Sequence, residues 1–218
     1  MKIIEVNLHT HDLPGQQHFY RDVLQLPTDA SHVRLSVQAG STQLAFTASP
    51  GNRELVYHFA FNIPQNRFEE ARTWISQRVP LIKSSLGEDA FDFANWNAHA
   101  CYFLDPSGNI LELIARHTLS NDSDLPFDGR SILNVSEIGI ATDDVRSTVA
   151  SLQDLGIPIY DGANSDTFTA VGDEQGLLIV VKRGRIWFPD TGIPADSLPL
   201  RLSISTRKGT TELRFGPS

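Results

Sequence analysis

The chain has 218 residues, of which 40% are hydrophobic and 20% charged, the make-up of a globular protein with room for one large or two small domains. Its net charge of −8 argues against nucleic acid or an anionic membrane surface as the main partner, because phosphate binding leans on Lys and Arg. A single cysteine, Cys101, excludes an intrachain disulfide framework and any cysteine-rich zinc site. No apolar run approaches the length of a membrane span, and the opening MKIIEVNLHTHDL reads as a strand, not a leader peptide, so a cytoplasmic protein is expected.

Lys2 to His11 alternates, with Ile4, Val6 and Leu8 on one face and Glu5, Asn7, His9 and His11 on the other. Pro14 to Leu24 carries Phe19, Tyr20, Val23 and Leu24 at helical spacing. Val33–Val37 and Thr42–Ala48 read as paired strands, and Gln43 falls opposite Leu44 and Phe46. Pro50-Gly51-Asn52 breaks the chain, and the pattern restarts. In the next strand Leu55, Tyr57, Phe59, Phe61 and Ile63 share a face, opposite Val56, His58, Ala60 and Asn62. A helix over Phe68–Val79 and short strands over Leu81–Lys83 and Phe91–Phe93 follow.

Residues 98–116, AHACYFLDPSGNILELIAR, read as a hairpin. Its second strand is apolar on both faces except for Glu112, and a buried carboxylate is costly unless a metal ion, an arginine or water pairs with it. Asp105-Pro106-Ser107-Gly108 suits a type I turn with a bulge at the glycine. That register sets Tyr102 opposite Glu112; a one-residue slip would put Cys101 there and bring His99 to the same face. Cys101 itself reads as a buried apolar filler.

The β-α-β-β-β pattern thus occurs twice by residue 116. A polar stretch over 118–133 reads as a linker, and a third copy follows: strand Ser136–Thr142, helix Asp144–Leu155, strand Ile157–Tyr160 and a hairpin of Phe168–Val171 with Leu177–Lys182. EVNLHTHDL aligns with EIGIATDDV, placing Glu5 over Glu137, and DPSGNILELI with DEQGLLIVVK, placing Glu112 over Val180. Leu200–Ser205 reads as the start of an incomplete fourth copy. Thr211–Phe215 pairs on an edge, and the Trp187–Phe188 stretch is a candidate cap.

FYRDVLQLP (19–27), YHFAFNIP (57–64) and YFLDPSGNILELI (102–114) resemble the vicinal oxygen chelate superfamily of glyoxalase I, bleomycin and fosfomycin resistance proteins and extradiol dioxygenases. The resemblance implies an α+β fold of tandem βαβββ units forming cup-shaped mixed sheets, helices outside. It implies a complete domain over 1–117 and a degenerate second one over 134–218. It also implies one divalent metal ion (Zn, Ni, Mn, Co or Fe) on Glu5, His58, Glu112 and Gln43, with Glu5 and Glu112 as proton-moving ligands. Tyr102 lies ten residues before Glu112, where dioxygenases of this kind carry a tyrosine beside the substrate. Glu5 stands where they carry a first histidine. The implied function is a metal-dependent enzyme acting on a small oxygenated molecule by isomerase, lyase or ring-cleavage chemistry; the alternative is a metal-free small-molecule binder of the bleomycin-resistance type. A homodimer is a further expectation. Glu137 lacks an acidic counterpart at Val180, so no second metal site is expected.

Overall fold

The computed structural model describes residues 1–51 and 54–217. Of the expected break at Pro50-Gly51-Asn52, Asn52 lies outside the described residues. The first repeat consists of β1 (Lys2–Thr10), α1 (Leu13–His18), β2 (Thr28–Ala30), β3 (Arg34–Ala39) and β4 (Thr42–Ala48). The second comprises β5 (His58–Ile63), α2 (Phe68–Ser76), β6 (Phe91–Phe93), β7 (Ala98–Leu104) and β8 (Ile110–Arg116). The third has β9 (Asn134–Thr142), α3 (Val145–Asp154), β10 (Phe168–Asp173) and β11 (Gly176–Lys182), and the tail adds β12 (Leu200–Thr206) and β13 (Gly209–Phe215). Leu81 and Ile159, expected within strands, make isolated bridges to Phe103 and Val171.

Caps and turns account for the local structure. Asp12 caps α1, accepting from the Gly15 amide at 2.9 Å. That helix runs on into a π-helical turn, Phe19–Val23, which buries Phe19 and Tyr20. In the 105–109 turn, the Asp105 carboxylate accepts from the Ser107 and Asn109 amides at 2.9 and 3.0 Å, and Gly108 takes φ +79°. Asp105 N–H bonds to the Asn109 carbonyl and Tyr102 pairs with Glu112, which is the bulged register.

The strands form a six-stranded sheet, β13-β12-β1-β4-β3-β2, and a seven-stranded sheet, β10-β11-β9-β5-β8-β7-β6. The first repeat therefore pairs with the tail strands, through antiparallel β1 and β12, and the second pairs with the third, through antiparallel β5 and β9. Strands within 1–117 are shared between both sheets, so the division expected at 117 is not a division between sheets. Edge-to-edge pairing of opening strands is the same in both; the first repeat pairs with the fourth-copy strands and the second with the third, not the first with the second. One apolar core joins the sheets, from Val6, Leu8, Tyr20 and Phe46 to Phe59, Phe61, Phe103, Leu113 and Ile138. A second, smaller cluster lines the inner face of the seven-stranded sheet, including Ala60, Ala100, Tyr102, Ile114, Ile179 and Trp187. This is an α+β fold of cup-shaped mixed sheets. Among the described residues no helix is long and apolar enough to cross a membrane.

Candidate metal centre

Strand register builds the site. One row across the seven-stranded sheet reads Tyr102, Glu112, Ala60, Glu137, through the pairs Tyr102 with Glu112, Glu112 with Ala60 and Ala60 with Glu137. Side chains in a row share a face, and the methyl of Ala60 leaves space for the two carboxylates to converge over it. His58 lies two residues before Ala60 on that same face. The 105–109 turn fixes its position along the strand: the Asn109 side-chain carbonyl accepts from Tyr57 N–H, and the Tyr57 carbonyl from Ile110 N–H, both at 2.8 Å.

His58, Glu112 and Glu137 are all buried, and their ligating atoms lie within 4.8 Å of one another. Among the described residues no other group of three His, Cys, Asp or Glu side chains approaches this closely. The His58 Nδ1–H donates to the Ile110 carbonyl at 3.1 Å, which leaves Nε2 as a bare lone pair 3.8 Å from a Glu112 oxygen. Burial pulls the His58 pKa down to about 4, so the imidazole is neutral near pH 7 and does not make an ion pair with Glu112. Burial first, and the Glu137 charge second, push the Glu112 carboxyl well above the usual carboxylate range. The Tyr102 hydroxyl donates to Glu112, and burial with the charge of Glu112 keeps that phenol protonated. Glu137 is raised by burial, while the paired Arg116 guanidinium acts in the opposite direction.

A cavity of about 90 Å³ opens over these groups, well above the roughly 10–15 Å³ that a single water needs. Its walls are aromatic: Phe93, Trp96, Phe168, Trp187 and Phe188, with Arg185 at the rim. The last two aromatics come from the tail, which caps the cup. The Trp187 ring stands 5.0 Å from His58 and Phe188 5.5 Å from Tyr102. Gly139 permits this approach, since a Cβ there would sit 2.5 Å from the indole. An open recess of about 540 Å³ shares Phe93, Trp96, Phe168, Arg185 and Phe188 and leads outward.

The other expected ligands lie elsewhere. Glu5 is on β1 of the six-stranded sheet, half-exposed and ion-paired with Arg34 at 2.9 Å. Gln43 is exposed on the adjacent strand β4, in register with Glu5. Both face the polar side of a sheet that is not the one carrying His58 and Glu112, so these four residues do not form one site. His99 is turned away, as its register predicts: it stacks on Phe68 and meets His117 at 2.8 Å. Glu137 replaces Glu5 as the carboxylate from an opening strand. Its alignment with Glu5 was the signal in the sequence, and the missing acid at Val180 hid it. In the structure Val180 is not the counterpart of Glu112. The third-repeat hairpin closes with Asp173 opposite Gly176, one loop residue fewer than the bulged 105–109 turn. The shorter loop slips the following strand by one position, so Ile179, not Val180, faces the cavity.

The three groups fit a divalent cation. Donors about 2.0–2.2 Å from one ion lie at most about 4.4 Å apart, so the 4.8 Å spread closes with a shift of a few tenths of an ångström. One imidazole and two carboxylates suit Zn²⁺, Ni²⁺, Mn²⁺, Co²⁺ or Fe²⁺, and three protein ligands leave room in the coordination shell for a substrate.

No protein-family model and no curated protein matches the sequence. Among solved structures, one named "putative dioxygenase" from Bacillus subtilis aligns over 83% of this chain with TM-score 0.61 and 15% identity; the chain spans 63% of that protein's length. A glyoxalase I variant from Zea mays aligns over 83% of this chain and 67% of its own, with TM-score 0.55 and 14% identity. At such identities the likeness is one of fold, and that fold is the one shared by glyoxalase I and these dioxygenases.

Proposed function

We propose that this protein is a divalent-metal-dependent enzyme of the glyoxalase and dioxygenase type, acting on a small oxygenated molecule. The observation that carries this reading is the convergence of His58, Glu112 and Glu137 beneath an aromatic-walled cavity. These three residues would hold the ion. When bound, it supplies Lewis-acid polarisation of two neighbouring substrate oxygens. With two carboxylates, a neutral imidazole and the Arg116 guanidinium around a divalent ion, the centre would carry net +1, which would favour anionic oxygens. The Tyr102 hydroxyl donates to Glu112 and so orients that carboxylate at the edge of the cavity. Glu112, within reach of the cavity and beside Tyr102, is the carboxylate that would exchange a proton with the substrate. Trp187, Phe188 and Phe168 give the cavity an apolar wall against which a substrate's carbon framework would pack.

Metal content of untagged protein purified without chelator, measured by elemental mass spectrometry, tests the reading. The expected result is about one ion per chain, lost in His58→Ala, Glu112→Ala and Glu137→Ala and retained in Glu5→Ala and Gln43→Ala. Wild-type protein that holds no metal and takes up none from Ni²⁺, Zn²⁺, Mn²⁺ or Fe²⁺ would overturn it and leave the cup as a metal-free binding site.

A further inference from the structure

Each member of the cluster has one group that orients it. The Ile110 carbonyl turns the His58 ring, and the Tyr102 hydroxyl touches Glu112. For Glu137 that group is Arg116, the only hydrogen-bond partner found for it among the described residues. Arg116 lies four residues after Glu112 on β8, hence on the same face, and its side chain is completely buried. Its Nη2 donates to a Glu137 oxygen, while Nε and Nη1 have no hydrogen-bond partner. The Trp96 ring, which walls the cavity, covers the guanidinium at 5.6 Å. A buried guanidinium with two unpartnered nitrogens is a poor device for stability, because its desolvation is only partly repaid. It is a good device for fixing one carboxylate, since a planar, permanently charged donor sets both direction and charge.

We propose that Arg116 is a positioning residue of the metal centre: it holds one oxygen of Glu137 so that the other faces His58 and Glu112. The inference rests on the metal reading above. It gives the third repeat, which offers Ile179 where the second offers Glu112, a fixed carboxylate all the same. Glu137's neighbours in the row, Ala60 and Leu177, are apolar and cannot aim it.

Titration with Co²⁺ alone tests the proposal, read by calorimetry and by the visible absorption of the bound ion. The variants are Arg116→Met, Arg116→Lys and Glu137→Gln, and both Arg116 changes combined with Glu137→Gln. Arg116→Met should bind Co²⁺ about 10–100-fold more weakly, as loss of a group behind a metal ligand does, with an altered absorption spectrum. In the Glu137→Gln background the Arg116 change should cost much less than in wild type, because most of its effect passes through that carboxylate and only its direct charge effect on Glu112 remains. Unchanged affinity and spectrum in Arg116→Met, or a loss that adds fully in the double variant, would overturn the proposal. Should Arg116→Met fail to fold by circular dichroism, the same cycle with Arg116→Lys decides by the same additivity. Wild-type protein that takes up no Co²⁺ sinks the metal reading itself; wild-type uptake with an indifferent Arg116 sinks only this assignment.

Discussion

The two sheets start from the same repeat and end differently. Glu5 and Glu137 occupy matching positions on opening strands, and each has an arginine partner, Arg34 and Arg116 respectively. In the six-stranded sheet that pair is half-exposed, with side-chain accessibilities of 36% and 42%. In the seven-stranded sheet the pair is buried, beside a histidine and a second glutamate. What differs is the cover. The Trp187–Phe188 segment closes the seven-stranded cup, and the opposing repeat there is complete enough to supply an inner wall. A repeat position therefore has no chemistry of its own; burial and neighbours turn a surface ion pair into a candidate metal centre.

Three changes would break or sharpen this contrast. Removing the cover by Trp187→Ala should cost about 3–5 kcal/mol in urea denaturation, the range for a large buried aromatic, whereas a loss near zero would mean that the cap contributes no core. Next in size is a pH effect confined to the buried side. The His58 folded-state pKa of about 4 lies below its unfolded value of 6.5, so the unfolded chain binds the extra proton between those values. Stability contributed by neutral His58 is complete above pH 6.5 and falls as pH drops toward 4, by about 3 kcal/mol in all. Comparing wild type with His58→Gln across this range isolates the term from the oppositely acting carboxyls; parallel stability profiles would contradict it. Smallest is the exposed pair. Glu5→Gln or Arg34→Gln should change stability by about 0–1 kcal/mol, and less in high salt; a loss as large as that of Trp187→Ala would show that the two sheets are not so unlike.

The parts of this arrangement that depend on local pattern were legible in the sequence. Alternation puts His58 on the polar face of its strand, Glu112 stands out as the one charge in a strand apolar on both faces, and turn chemistry at Asp105–Gly108 sets Tyr102 opposite Glu112. Repetition of the βαβββ unit, with a fragment of a fourth, is legible in the residue pattern, and the cup-shaped fold is what the family resemblance implies. Which repeat pairs with which was not legible, because alternation specifies the face of a strand and not its neighbour. The family resemblance assigns the opening-strand ligand to Glu5, and only the pairing of β9 with β5 brings Glu137 to His58 instead. The slip at the third hairpin was hidden for a related reason. Two turns aligned without a gap can differ by one loop residue, and every side chain beyond then changes face. The role of the tail had even less local signal, since two aromatic residues in a Pro- and Gly-containing stretch do not say which surface they cover.

The row Glu112–Ala60–Glu137 also acts as a ruler. Neighbouring strands stand about 4.8 Å apart, so the backbones of the two acids, with β5 between them, are roughly 10 Å apart. Only long side chains leaning toward one another can bring their oxygens to a common point across that span. Aspartate is shorter by one carbon, about 1.5 Å on each side, and would leave the pair out of reach of a shared ion. The sheet spacing thus accounts for why both carboxylates in this cup are glutamates.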